Sequence, residues 1–499
     1  MKGFVFLYGS EVLLRFVQTG AFKELEKKHD ITYIALASSV LMKDGGVEHS
    51  LVSSLANVEW IPFYPNRFEK WCELFDISCI RYQERSISFQ IRYQETIRQS
   101  PERIAGLEKL ASPEIYDSHR AAVEKDMGLH PDMLKLTLAL RPDFFVLPSA
   151  LLDYVTDDVL QLANAIAIPT LMLVAGWDNL SSKGLIYHQP STMGVWGEQS
   201  RQHAIQIQGS EAQNVHVIGA PHYEDFYNNP LVNRAALRKE FGVPPEKRTI
   251  LFAGSYRTFD ETELLKQVDN AIDQGILPDI HVIYRPHPWR ATRQTEDNFL
   301  DQTWKHVTMD SEMVEAYQAV KRGAGGASPD NFLFRLNHLA QLYQSVDAVI
   351  SPMSTVLLEA LMFDLPTMAV AFGDGKHSWS ADKASRMTHF KEFFEIPDLI
   401  VCRQQNVFLE NLNLLISYAD GQSKRKFDQD IQHFVYRDNK RYADRVLDLV
   451  TLMLETNNSK IPYDIVDVKP GKTFKSNRAQ KILTRFKKIG WKALRLLKK

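Results

Sequence analysis

Asp347-Ala348-Val349-Ile350-Ser351-Pro352-Met353-Ser354-Thr355-Val356-Leu357-Leu358-Glu359-Ala360-Leu361 reads as a buried strand, a small polar turn and a helix. The apolar run ends at Ser351, Pro352 punctuates it, and the helical spacing resumes near Thr355. A helix that starts at the end of a strand presents unpaired N–H groups and a partial positive charge, so this junction can hold a diphosphate. Ser354 and Thr355 add hydroxyl donors at the same place. Glu359, one helical turn on, is positioned to reach a ribose hydroxyl. The plainer reading is a strand, an N-cap hydroxyl and a solvent-facing Glu, because such junctions are common.

Outward from this stretch the same alternation repeats. Short β-branched or aromatic runs predict strands at Thr249–Ala253, His281–Tyr284, His306–Met309, Thr367–Ala371 and Leu399–Cys402. Upstream they predict strands at Gly3–Tyr8, Ile31–Ala37, Val58–Ile61, Asp143–Leu147, Pro169–Val174, Met193–Val195 and Val215–Ile218. Helix-patterned segments separate them, which is the signature of parallel α/β domains. The stretch 66–140 reads as charged amphipathic helices. Lys321–Asp330, with Gly323, Gly325, Gly326 and Pro329, reads as a mobile surface loop. A chain of 499 residues exceeds one ordinary core, so two doubly wound domains are expected. The expected division is 1–225 for an acceptor-side Rossmann-like domain, 226–460 for a nucleotide-sugar-binding one, and 461–499 for a linker and tail. Ligands of such sheets bind at the carboxyl ends of the strands, here facing one another across a cleft.

Four more segments carry chemistry. In Val282-Ile283-Tyr284-Arg285-Pro286-His287-Pro288-Trp289-Arg290 a strand runs into two prolines that stiffen the turn. Arg285 offers a bidentate fork to phosphate, and His287 a proton or hydrogen bond to a leaving phosphate; a buried structural histidine is the alternative. In Phe252-Ala253-Gly254-Ser255-Tyr256-Arg257, Gly254 and Ser255 allow close backbone approach to a phosphate, though many βα turns need a glycine for shape alone. Arg257 is a weaker candidate. Ala175-Gly176-Trp177-Asp178-Asn179-Leu180-Ser181-Ser182-Lys183 crowds polar groups at a strand's carboxyl end. Asp178 is the first candidate for the general base that deprotonates an acceptor hydroxyl, against a capping role in a turn. Glu11 and Glu198 are weaker candidates for which capping or surface roles are the expectation, and His222 lies at the presumed domain junction.

The order of these features resembles the two-domain GT-B fold. More narrowly, Arg285-Pro286-His287-Pro288 with Asp347…Ser351-Pro352-Met353-Ser354-Thr355…Glu359-Ala360-Leu361 resembles bacterial capsule, lipopolysaccharide and teichoic-acid transferases. These include CDP-glycerol glycerophosphotransferase-like proteins and capsular Kdo or sialic-acid transferases. The resemblance covers roughly residues 170–375 and implies that His287, Ser354 and Thr355 contact the nucleotide and its phosphates. It does not extend before residue 140, where acceptor recognition is expected. No Asp-x-Asp pair stands at a convincing strand end, so a metal-independent mechanism with no cofactor is expected, the donor being a CMP-, CDP- or UDP-linked sugar.

Composition sets the remaining bounds. At 44% apolar and 24% charged residues the chain is globular, and Cys72, Cys79 and Cys402 show neither disulfide-framework nor metal-ligand spacing, which points to a reducing compartment. No apolar stretch approaches the ~18–20 residues that cross a bilayer. Of the net charge of −2, residues 472–499 contribute eleven Lys or Arg and no acid, leaving −13 on the rest by subtraction. Ile482, Phe486, Ile489, Ala493 and Leu496/Leu497 form an apolar stripe beside these cations, with Trp491 as an interfacial aromatic. That pattern suits an anionic membrane surface, and the acidic remainder argues against nucleic acid. The expectation is therefore a glycosyltransferase on the cytoplasmic face of the membrane, moving a sugar from a nucleotide-activated donor to a glycan or lipid-linked acceptor. The alternatives are a nucleotide-sugar 2-epimerase of the same fold and a non-catalytic nucleotide- or glycan-binding protein.

Overall fold

The computed structural model describes the chain except residues 10–11, 38–46, 100, 152–154, 225, 227–232, 256–258, 288–298, 322–335, 378–379, 421–424 and 458–499. Among the described residues two compact units result, one of Met1–Glu224 together with 432–457, the other of Asp225–Ile431.

The first unit is built on a seven-stranded sheet of β1 (Lys2–Leu7), β2 (Asp30–Ala37), β3 (Val58–Pro62), β4 (Phe144–Ser149), β5 (Thr170–Val174), β6 (Thr192–Val195) and β7 (Val215–Val217). The order is β3-β2-β1-β4-β5-β6-β7 and every pairing is parallel. Strands covered on both faces need continuous apolar sequence. Phe4, Val5, Phe6 and Leu7, and Phe144 to Leu147, satisfy this and are buried. The inserted stretch between β3 and β4 is helical, led by Pro65–Arg81, with Tyr116–Met127 and Pro131–Leu140 after it. Pro65 and Pro131 occupy the first helical turn, where the missing N–H has no intrahelical partner to lose.

The second unit is a six-stranded parallel sheet of β8 (Arg248–Ala253), β9 (Ile280–Arg285), β10 (Val307–Met309), β11 (Ala348–Pro352), β12 (Thr367–Val370) and β13 (Ile400–Cys402), in the order β10-β9-β8-β11-β12-β13. The architecture is α/β with two wholly parallel sheets. Every strand read from the sequence is present, with ends shifted by one or two residues. The helix before β8 is Arg234–Glu240, capped by Asn233, whose side chain accepts from the N–H groups of Ala235 and Ala236.

The expected second domain of 226–460 needs correction. From Gln432 the chain returns to the first unit, and its helix Tyr442–Thr456 buries Tyr442, Val446, Leu449, Val450 and Met453 in that unit's core. The amphipathic stripe of this helix gives no hint of which sheet it covers. The return requires glycine at two close approaches. A Cβ on Gly219, whose φ is +80°, would overlap the carbonyl oxygen of Tyr436, and one on Gly197 would overlap the backbone of His433 and Phe434. Gly219→Ala is expected to destabilise the first unit by about 1–3 kcal/mol, read as a lower denaturation midpoint at unchanged slope. An unshifted midpoint would mean that this approach is not needed.

Residues 472–499 and Lys321–Asp330, apart from Lys321 itself, lie outside the described residues. Among the described residues no helix is long and apolar enough to cross a membrane.

Candidate functional site

In the second sheet the chain order reverses between β8 and β11, and ligands of open parallel sheets bind at the carboxyl ends of strands flanking such a reversal. Gly254 and Ser255 follow β8, and Met353, Ser354 and Thr355 follow β11, so both stretches border this point. His287 follows β9 on the next strand outward, half-buried behind Pro286.

The turn after β11 is strained. Met353 has φ of +29°, unusual for a residue with a side chain, and such outliers concentrate where a turn must present specific groups. The Ser354 Oγ accepts from Val356 N–H at 3.3 Å and lies 3.0 Å from the Ser351 Oγ, which donates to the carbonyl of Ala253 at 2.7 Å. Ser354 thus caps the helix Val356–Met362, as the plainer reading has it, while Thr355 is exposed and makes no capping bond. Glu359 does not face solvent. It is 9% exposed and accepts from the Tyr343 hydroxyl at 2.8 Å.

Gly254 and Ser255 have a local explanation that the sequence does not reveal. The buried carboxylate of Glu261 lies where a Gly254 Cβ would sit, and it accepts the Ser255 N–H at 2.9 Å and the Tyr284 hydroxyl at 2.8 Å. The Ser255 amide is therefore engaged by protein, contrary to the expected backbone approach to a phosphate.

Arg285 also departs from expectation. Its guanidinium is 7% exposed and paired with Asp310, with Glu312 at 3.3 Å. His338 Nε2 stands 3.0 Å from Asp310 and His338 Nδ1 3.5 Å from Glu312. Burial raises the Asp310 carboxyl, but Arg285 and His338 beside it outweigh burial and hold it below its ordinary value. Arg285 is consumed by two carboxylates and fixes the end of β9, from which Pro286 and His287 continue. Asp310, Glu312 and His338 are the one set of three among the described residues close enough to share a metal ion, and the guanidinium stands against both carboxylates. Asp310 and Glu312 escaped the sequence reading; an acidic pair just past a short strand was the available signal.

In the first unit Asp178 follows β5 and is partly buried. Its carboxylate pairs with Lys183 at 3.0 Å and accepts from Ser182 Oγ at 2.9 Å and Asn179 Nδ2 at 3.3 Å. It makes no side-chain cap to the helix Asn179–Ser182. Glu198 opens the helix Glu198–Gln206, pairs with Arg201 at 3.3 Å and is 44% exposed, a surface helix residue. His222 is buried between Trp196 and Tyr223, and that burial, with Arg15 nearby, holds its pKa well below the ordinary value. Glu11 and Arg257 lie outside the described residues.

The GT-B fold expectation holds. Over 93% of this chain and 99% of the other, a Listeria monocytogenes structure assigned as a UDP-N-acetylglucosamine 2-epimerase superposes with TM-score 0.51 at 10% identity. The UDP-GlcNAc 2-epimerase from Methanocaldococcus jannaschii covers 91% of this chain and 100% of its own at TM-score 0.50 and 12% identity. At these identities the likeness concerns the fold. The wall teichoic acid polymerase TagF covers 92% of this chain and 90% of its own at 13% identity and TM-score 0.43. No curated protein sequence matches the chain. The family model for CDP-Glycerol:Poly(glycerophosphate) glycerophosphotransferase matches residues 198–452, just over half of the chain, spanning His287 and the turn after β11. The chain belongs to the CDP-glycerol:poly(glycerophosphate) glycerophosphotransferase family, a family of transferases.

Proposed function

We propose that this protein transfers a nucleotide-activated unit to an acceptor hydroxyl in bacterial surface-polymer synthesis, with a CDP-linked donor of the kind named by the family. The observation that carries the reading is the family match over residues 198–452, which includes the strained turn at the switch point of the second sheet. In the reaction, the acceptor oxygen forms the new bond to the transferred phosphoryl or glycosyl centre, the bond to the nucleotide breaks, and the nucleotide leaves as an anion. Asp178 takes the acceptor proton. His287, Ser354 and Thr355 stabilise the departing phosphate, with Glu359 at the ribose. Arg285 is a positioning residue in this account, because its guanidinium holds Asp310 and Glu312. The donor phosphates are met by hydroxyl, imidazole and backbone donors, without a metal ion.

A thermal-shift series of CMP, CDP, UDP and GDP tests the donor assignment, with cytidine nucleotides expected to stabilise most. His287→Ala is expected to weaken nucleotide binding by about 1–3 kcal/mol, the range for a lost hydrogen bond to a charged group, with little change in fold stability. Unchanged affinity for all four nucleotides removes His287 from the site.

The basic tail supplies the location. We infer that residues 472–499 hold the protein on an anionic membrane surface, supported by eleven cations beside an apolar stripe at about 1 kcal/mol each near such a surface. Co-sedimentation with anionic vesicles is expected to be lost on deleting 472–499 and to weaken steeply with salt in the full chain. Equal sedimentation of both forms would exclude the tail as the anchor.

A further inference from the structure

The amino-terminal edge of the second sheet holds a cavity of ≈ 490 Å³ that the proposed transfer does not use. Arg248 opens β8 and Asp347 immediately precedes β11, so the cavity lies at the opposite strand ends from Gly254, Ser354 and Thr355. Its size falls within the roughly 300–1,000 Å³ of small-molecule sites.

Its lining is rich in donors. The Asp347 carboxylate accepts from Arg234 Nη2 at 2.6 Å, Arg238 Nη1 at 3.3 Å and the Thr249 N–H at 2.8 Å, and Arg248 Nη1 stands 3.7 Å away. One buried carboxylate thus faces three guanidinium groups. Those of Arg234 and Arg248 remain 43% and 48% exposed, so each keeps N–H groups turned from Asp347. Arg238 Nε is buried without a hydrogen-bond partner, a costly arrangement for a guanidinium N–H. Counting Lys247, four cations meet four acids, but of those acids just Asp347 and Glu246 line the cavity. Arg248 meets Asp420 at 2.5 Å and Lys247 meets Asp279 at 2.6 Å, and these two carboxylates are 53% and 67% exposed. Exposed pairs of this kind are worth little and exchange readily with another anion.

We propose that this cavity binds a phosphate group, either inorganic phosphate or a small phosphate monoester, through Arg234 and Arg248. Two guanidinium forks converging on one opening match the bidentate geometry of a phosphate, which a lone ammonium does not. The site is separate from the donor position and does not depend on the reading of that position.

Isothermal titration of the full-length protein with inorganic phosphate and with glycerol 3-phosphate tests this. Arg234→Ala/Arg248→Ala leaves the buried Arg238–Asp347 pair in place and is expected to weaken both probes at least about tenfold. Should the double alanine variant not fold, Arg234→Lys/Arg248→Lys keeps the charge and removes the forks, and weakening is again expected. Tighter binding of glycerol 3-phosphate identifies an ester as occupant, and equal binding identifies free phosphate. No binding to the unmodified protein, or unchanged binding in the folded arginine variants, would overturn the proposal.

Discussion

Asp178→Asn is expected to lower turnover on the order of 10²–10⁴-fold while nucleotide affinity and fold stability survive. The substitution keeps the size and shape of the side chain and removes its charge, and with it both the capacity to take a proton and the ion pair with Lys183. Asp178 lies at the carboxyl end of β5, one strand from the reversal between β1 and β4 in the first sheet. In the structure its carboxylate is paired with Lys183 at 3.0 Å. If Asp178 is the base of the proposed transfer, the ammonium must give way as the acceptor arrives. The effect should fall on kcat more than on the nucleotide dissociation constant. A nearly normal rate would move the base elsewhere, with Glu198 and Glu11 next.

Arg285→Ala is expected to destabilise the second unit by about 3–5 kcal/mol, because it takes the paired guanidinium away from two buried carboxylates, Asp310 and Glu312. This outcome separates the two roles the residue could have. A phosphate ligand at a binding site would lose nucleotide affinity with stability intact, whereas the positioning role assigned here costs stability first. The pH dependence has a definite sign. The folded Asp310 carboxyl sits below its ordinary value, so its contribution is full above the unfolded value of about 4 and is lost as pH falls through the folded one. Urea midpoints of both proteins at neutral pH, and of the native protein on acidification, check both statements.

The fold was largely legible in the sequence because parallel strands buried on both faces must be continuous apolar runs, and such runs bounded by Gly, Pro or Ser are hard to read otherwise. Phe4–Leu7 and Ala348–Ile350 are examples. Topology was less legible. The helix Tyr442–Thr456 has a clear apolar stripe, yet periodicity does not say which of two sheets it covers, and it covers the first. The candidate site was legible at the level of which loops bear it, since Gly254, His287, Ser354 and Asp178 all follow strands. Their partners were not. Glu261 against Gly254, Tyr343 on Glu359 and Asp310 on Arg285 are pairs made by tertiary packing between separate elements. Those partners decide whether a polar side chain is offered to a ligand or spent within the protein. For Arg285 and the Ser255 amide, they reverse the role that local pattern suggests.

The most direct test of the account is transfer itself. The full-length protein, supplied with CDP-glycerol and an oligomeric glycerol phosphate acceptor on anionic vesicles, should release CMP only when acceptor is present, with the acceptor growing in proportion. Replacing the donor with UDP-N-acetylglucosamine tests the alternatives in the same assay. Acceptor-dependent CMP release that fails in Asp178→Asn is the predicted result. Acceptor-independent epimerisation of the UDP-sugar, or nucleotide binding without turnover of any donor, would contradict the assignment as a transferase.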